Sequence, residues 1–116
     1  MVYLKINDTL YPASLRERVQ DADWQNRRSM AITVSMTYAE AASLFVDDVE
    51  WGHVYQGAPH NGENGEIIVP DPVDYNDSEY SVAGSITDNR NGTVTVKMGK
   101  ITDGEALAEL REALGV

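Results

Sequence analysis

The two histidines are the first residues to consider for chemistry, because an imidazole titrates near neutral pH and can bind metals. His53 stands between Trp51 and Tyr55 at a spacing of two, which places the three side chains on one face of a strand. Trp51, His53 and Tyr55 are therefore the candidate ligand or interaction surface, although packing or simple exposure is the favoured interpretation. His60 lies in a glycine-rich stretch and is expected to be solvated.

Other catalytic signatures are missing. The chain has no cysteine, which excludes disulfides, thiolate zinc sites and cysteine nucleophiles. No histidine belongs to a His-Glu-x-x-His pair, and no serine to a Gly-x-Ser-x-Gly or Ser-x-x-Lys motif. We therefore expect no catalytic residue, no cofactor and no metal site, and predict that the protein is not an enzyme. Acid–base catalysis by His53 with a neighbouring carboxylate is the minor alternative.

An acidic run at residues 71–79 has the oxygen-rich composition that a calcium ion prefers. It does not match the EF-hand pattern, because Glu79 occupies the glycine position and Ser85 the closing glutamate position when counting starts at Asp74. We interpret the run as a solvated acidic connection, with a weak cation site as the alternative.

The overall charge limits the choice of partners. Nineteen acidic and nine basic residues give a formal net charge of −10, which repels phosphate backbones and anionic lipids. Apolar runs are far shorter than the roughly 20 residues that span a bilayer, and the first residues do not resemble a signal peptide. We expect protein partners, including self-association, and neither nucleic-acid nor membrane binding.

Alternating apolar residues predict strands at residues 2–6, 30–36 and 50–56, with shorter strands at 10–13 and 66–69. Pro12 would confine the second strand to a sheet edge. Residues 16–28 show no periodicity and are interpreted as a connection. Residues 57–65 hold three glycines, one proline and two asparagines, and predict a flexible loop.

The C-terminal third is the best-specified part of the chain. Residues 80–87 and 93–98 alternate in polarity and flank a turn containing Asn91-Gly92, which predicts a hairpin with Ile86 opposite Val94. Capping-box spacings at residues 37–40 and 102–105 predict two helices. The second helix is expected to place a leucine stripe on the sheet, composed of Leu107, Leu110 and Leu114.

These elements predict one α+β domain over residues 1–116. The order is β-β-β-α-β-β-β-β-α, with six to seven strands in a mainly antiparallel, curled sheet and two short helices packed on it. The composition, with 42% hydrophobic and 24% charged residues, fits such a globular domain.

Three segments resemble small uncharacterised prophage proteins of Gram-positive gut bacteria, namely residues 4–8, 32–41 and 80–100. The resemblance implies a virion-morphogenesis or tail-associated role, in the host cytoplasm or in the virion, and carries no active site. We therefore expect a non-catalytic structural or assembly protein that acts through protein contacts. An acidic regulatory module, such as an inhibitor that imitates nucleic acid before a host protein, is the alternative.

Overall fold

A computed structural model describes residues 1–115 of the chain. The elements are β1 (Val2–Ile6), β2 (Thr9–Asp21), a 3-10 turn (Ala22–Trp24), β3 (Arg27–Val34), α1 (Tyr38–Leu44), β4 (Trp51–Tyr55), β5 (His60–Asn61), β6 (Ile67–Ile68), β7 (Val73–Asn76), β8 (Val82–Asp88), β9 (Val94–Gly99) and α2 (Asp103–Leu114). Seven strands form one antiparallel sheet in the order β7-β4-β1-β2-β3-β9-β8, and β5 and β6 form a separate hairpin. The predicted α+β class and mainly antiparallel sheet are confirmed.

Strand β2 joins the two halves of the sheet. Its first residues pair with β1, from Ile6 opposite Thr9 to Tyr3 opposite Pro12, and the rest pairs with β3 from Ala13 onward. The predicted connection at residues 16–28 was wrong, because β2 runs to Asp21 through side chains that are polar on both faces. The edge position predicted for Pro12 was also wrong, since this proline lies in an interior strand just before the ladder with β3 begins.

The sheet is curled, as the path of the chain requires. Strands β7 and β8 are its two edges, and a flat sheet would hold them about 29 Å apart at roughly 4.8 Å per strand. The five residues between Asn76 and Val82 can span only about 22 Å. The edges must therefore approach each other, which encloses the inner face of the sheet.

The core lies on this inner face, under α1 and the segment that links the two edges. Thr37 caps α1 by accepting a hydrogen bond from the Glu40 amide, as its spacing predicted. One cluster joins both halves of the sheet, with buried side chains from Leu4, Ile6, Met30, Ile32, Val34, Met36, Ala41, Phe45, Trp51, Tyr80, Val94, Val96 and Met98.

The β8–β9 hairpin forms as predicted but in a different register. Near the turn, Ile86 pairs with Val96 instead of the predicted Val94, and Asp88 pairs with Val94. The register there is two residues from the predicted one. The turn is longer because Asp88 and Asn91 side chains accept the amides of Arg90 and Thr93, two residues further along. The two-residue shift keeps Ile86 on the core face, whereas an irregularity between Ala83 and Ile86 reduces the shift to one residue and places Ala83, not Val82, opposite Met98 and against the core.

Helix α2 departs from the prediction. Thr102 and Glu105 form the predicted capping box, but the leucines do not dock on the sheet. Leu107, Leu110 and Leu114 are 50%, 55% and 68% exposed. The outer face next to the helix is occupied by Trp24, which lies over Gly84 and Gly99, where a Cβ would come within 2.6 and 2.8 Å of its ring.

Candidate interaction surface

Trp51, His53 and Tyr55 follow one another along the inner face of β4, but the structure gives them three different environments. The Trp51 ring is buried against Phe45 and Tyr80 in edge-to-face contacts, with ring centroids 6.3 and 6.4 Å apart. Its indole Nε1 donates a hydrogen bond to the Tyr80 carbonyl at 3.1 Å. Trp51 therefore belongs to the core and is not available to a ligand.

His53 is held between two neighbours. Its Nδ1 lies 2.5 Å from the Asp77 carboxylate, and its ring stacks on Tyr75 with the planes 8° apart and the centroids at 4.6 Å. A carboxylate hydrogen-bonded to an imidazole fixes the orientation of the ring. Within residues 1–115, Asp77 is the one side chain that hydrogen-bonds to this ring. The contacts join β4 to the edge strand β7.

Tyr55 is half exposed and marks the start of an apolar surface. It pairs with Val73 of β7, as His53 pairs with Tyr75. Val73 and Tyr75 are also about half exposed. Strand β7 falls within the acidic run that was predicted to be a connection, and its Val-Asp-Tyr-Asn alternation was the signal that could have revealed it.

The surface continues into the hairpin of β5 and β6, which we name the arm. The arm is an insertion between β4 and β7, and part of the predicted flexible loop, His60–Asn61, forms its first strand. Ile67, Ile68 and Val69 are 72%, 40% and 62% exposed. Its base is attached to β4, because the Gln56 side chain donates to the Pro70 carbonyl at 2.7 Å.

We name this region the β7-edge surface and define it by six exposed apolar side chains, those of Tyr55, Ile67, Ile68, Val69, Val73 and Tyr75. Gly57 lies between Tyr55 and Pro70, since a Cβ there would come within 4.0 Å of the Tyr55 ring and within 3.1 Å of the Pro70 side chain. Single exposed apolar residues are common on proteins, whereas several exposed apolar side chains on neighbouring segments make this region a candidate contact site.

The backbone of β7 adds hydrogen-bonding capacity to this surface. The amide of Asp77 donates to the Trp51 carbonyl, so the odd-numbered residues of β7 direct their backbone groups toward β4. Successive residues of an antiparallel strand alternate in direction, which leaves the N–H and C=O groups of Asp74 and Asn76 on the outer side. No described strand pairs with that side.

The surroundings of the surface are strongly negative. Residues 29–89 contain eleven acidic side chains and no lysine or arginine. Lys5 Nζ lies 3.7 Å from the Asp74 carboxylate, where both side chains are about half exposed or more. A partner would therefore meet apolar side chains carried on a strongly acidic part of the chain.

The acidic run at residues 71–79 is dispersed by the fold. Asp74 faces Lys5, Asp77 faces His53, and Glu79 lies 3.1 Å from Lys100. Among residues 1–115 no three histidine, aspartate or glutamate side chains gather as a metal-binding group.

A second polar cluster, on the outer face, links the β2–β3 turn to β9. Asp21 is fully buried and accepts hydrogen bonds from Ser29 at 3.0 Å and Lys97 at 2.9 Å. The Lys97 bond lowers the pKa of the Asp21 carboxyl, against the opposing effect of burial. This cluster satisfies its own charges and is structural.

None of the described helices is long and apolar enough to cross a membrane. Comparison of the chain with known protein families, curated proteins and solved structures found no match.

Proposed function

We propose that this chain is a non-catalytic structural or assembly protein that acts through protein contacts at the β7-edge surface. The observation that carries the proposal is the grouping of six exposed apolar side chains beside an unpaired strand edge. The core is complete without them, because the buried cluster contains none of the six. Their exposure costs solvation free energy that only a partner would recover.

The mode of contact follows from the edge. A partner strand can extend the sheet by bonding to the outward N–H and C=O groups of Asp74 and Asn76. The apolar side chains of β4, β7 and the arm would then supply specificity on the inner face. Short length, a preceding proline and Asp74 protect β7 from indiscriminate pairing.

The setting that fits this role is a phage or prophage, with partners among virion proteins. The sequence resemblance to prophage proteins supports it. On this view the protein works in the host cytoplasm during particle assembly or remains in the virion.

Co-purification with the products of neighbouring genes tests the proposal. The test variant is I67S/V69S, which removes two exposed side chains of the arm, and the control is V19S, since Val19 is 69% exposed on β2 and lies outside the surface. We expect the wild type and V19S to retain a partner and I67S/V69S to lose at least tenfold in affinity. Retention of every partner by I67S/V69S would contradict the proposed surface.

A second candidate function is an acidic regulatory module that captures a basic host protein. Residues 29–89 favour it, because they contain eleven acidic side chains and no lysine or arginine. Binding of this kind weakens steeply with salt, so a pull-down at low and moderate ionic strength separates the two candidates. The variant D71K/D74K would weaken an electrostatic contact most, whereas I67S/V69S would weaken an apolar one most.

A further inference from the structure

The outer face of the sheet carries an open groove that runs across β2, β3 and β9. Its volume is about 600 Å³, and we name it the β2–β9 groove. The residues that line it, all within the described part of the chain, include Arg16, Arg18 and Lys97 and no aspartate or glutamate. In a chain with a net charge of −10, the groove is therefore a local concentration of positive charge.

The strand register arranges these three cations around a floor of small side chains. Arg16 of β2 lies opposite Ala31 of β3, which in turn lies opposite Lys97 of β9. Arg16 and Lys97 therefore stand on either side of Ala31, with their backbones about 10 Å apart at two strand spacings. Arg18 follows Arg16 on the same face, about 6.8 Å further along β2.

A row of hydroxyl groups continues the floor beside the cations. Ser14 lies opposite Thr33, and Thr33 lies opposite Thr95. The Thr33 and Thr95 hydroxyl oxygens are 3.0 Å apart and share a hydrogen bond. Hydroxyls both donate and accept hydrogen bonds, so the floor can bond to the polar backbone of a bound chain.

Two of the three cations keep their charge available. The buried carboxylate of Asp21 neutralises Lys97 through a contact of 2.9 Å, and its other oxygen lies 3.8 Å from the Arg18 guanidinium. Arg16 forms no ion pair with any residue of 1–115. Arg16 and Arg18 are both exposed. With Asp21 counted, three positive charges and one negative charge leave the groove with an excess of two.

The other acidic residues of this region are directed elsewhere. Glu17 lies between the two arginines in sequence, but its side chain points inward and accepts a hydrogen bond from Tyr80. Glu105 is 2.8 Å from the Arg27 guanidinium. Asp23 and Asp103 are exposed on the 3-10 turn and at the start of α2, outside the lining of the groove.

We propose that the β2–β9 groove binds a carboxylate-rich segment of a partner protein in an extended conformation. Side chains on one face of an extended chain recur about every 6.8 Å, which matches the spacing of Arg16 and Arg18 along β2. Two carboxylates at this spacing can each bind one guanidinium without drawing the two like charges together. Charge complementarity and this matched spacing select the occupant.

The inference adds a second contact to the proposed function and does not depend on the first. The groove lies on the face of the sheet opposite Tyr55, Val73 and Tyr75 of the β7-edge surface. The net negative charge of the chain opposes an acidic partner at long range, but physiological salt screens charges beyond about 8 Å. The field of Arg16 and Arg18 therefore dominates at contact distance.

Titration of the full chain with a hexaglutamate peptide, followed by nuclear magnetic resonance at low ionic strength, tests the inference. We expect shifts of the Ala31, Thr33 and Thr95 amides that weaken as salt is added, and none with hexaglutamine. R16Q/R18Q should lower the affinity for hexaglutamate about tenfold. R90Q/R111Q removes the same charge outside the groove and should bind within about twofold of the wild type.

Two further variants separate the groove from other effects. R16Q alone keeps the contact of Arg18 with Asp21 and should still lower the affinity about threefold, so the loss does not depend on disturbing Asp21. I67S/V69S should bind hexaglutamate as the wild type does, because the β7-edge surface lies elsewhere. Failure of the groove and failure of the proposed function are thereby distinguished.

Three results would overturn the inference. One is the absence of hexaglutamate binding at low ionic strength. Another is an equal loss of affinity in R16Q/R18Q and R90Q/R111Q, which would show attraction by overall charge alone. The third is displacement of the peptide by inorganic phosphate at equal concentration, which would show that the groove takes a single phosphate group instead of a carboxylate-rich chain.

Discussion

Two hairpins of this protein use apolar residues in opposite ways. In the β8–β9 hairpin, Val94, Val96 and Met98 are at most 1% exposed, and the hairpin closes one side of the core. In the arm, the apolar residues that follow its turn are 40% to 72% exposed and belong to no core. Both hairpins place a glycine at positive φ in the turn, Gly92 and Gly65. Local hairpin chemistry therefore does not explain the apolar residues of the arm, and we infer that they contact another molecule.

Removing a buried side chain of β9 is expected to have the largest effect on stability. Met98→Ala should lower the free energy of unfolding by about 2–5 kcal/mol, because it leaves a cavity in the core. Guanidinium denaturation followed by tryptophan fluorescence measures the change. A loss of less than about 1 kcal/mol would contradict the assignment of β9 to the core.

Gly52→Ala is expected to have the second-largest effect on stability. It acts near the arm, on the pairing of β4 with β7. A Cβ at this position would collide with the carbonyl oxygen of Tyr75, so β7 must shift away from β4 at a cost of about 1–3 kcal/mol. Amide hydrogen exchange should accelerate at Val73 and Tyr75 and stay unchanged in β9. Equal acceleration in both strands would mean that β7 is not a separate edge unit.

The segment leading into β8 supplies a pH-dependent test. Burial raises the pKa of the Tyr80 phenol to about 12, with a further contribution from its hydrogen bond to Glu17. The folded state binds this proton more tightly than the unfolded state, whose tyrosine pKa is about 10. The stabilisation is therefore complete below pH 10 and is lost as the pH rises toward 12.

Ultraviolet titration of the phenols should reveal one delayed tyrosine that Tyr80→Phe removes. The titration curve of Tyr80→Phe is the reference, because this variant lacks that phenol alone. Absence of a delayed phenol in the wild type would count against the buried position of Tyr80.

Helix α2 resembles the arm in exposure but is attached by an ion pair, and acid should loosen it. The hydrogen bond from Arg27 is the main cause that lowers the pKa of Glu105 to about 2, and the Thr102 amide adds to it. A carboxyl with a depressed pKa stabilises above its unfolded value of about 4.5 and loses this effect as pH falls toward 2. The Glu105 side chain is 41% exposed, so the effect is small.

Side-chain carboxyl shifts in a nuclear magnetic resonance titration would report this pKa directly. Glu105→Gln is the control, because it keeps the shape of the side chain and removes the titration. A Glu105 midpoint near 4.5 would contradict the anchoring of α2 by Arg27.

The smallest effect on stability is expected in the arm. Ile67→Ala should change the free energy of unfolding by less than about 0.5 kcal/mol, since the side chain leaves no cavity. The same denaturation experiment used for Met98→Ala measures it. A loss comparable to that of Met98→Ala would show that the arm packs in solution and would remove the contrast between the hairpins.

The sequence predicted the elements whose side chains alternate in polarity and whose caps are local. The β8–β9 hairpin and the Thr102 capping box are examples, because their signals lie within a few residues. The second half of β2 carried no such signal, since Glu17 points inward and bonds to Tyr80 while Arg16 and Arg18 point outward. Backbone pairing with β3 holds it in place irrespective of polarity.

The three residues of the predicted surface have different exposures in the structure. Tyr55 is half exposed, whereas Trp51 is buried because Phe45 and Tyr80 pack against its ring. The leucines of α2 have the spacing of a docking helix, which was read from sequence, yet spacing does not identify the surface that receives them. The ion pair between Arg27 and Glu105 attaches α2, and its two residues are 78 positions apart in the sequence.

Amide hydrogen exchange of the protein alone and bound to its partner tests the role of the β7-edge surface. Residues 60–69 and the outward amides of Asp74 and Asn76 are expected to exchange rapidly in the free protein and to become protected at least tenfold on assembly, while β8 and β9 remain unchanged. Unaltered exchange across the arm and β7 in a fully formed assembly would contradict it.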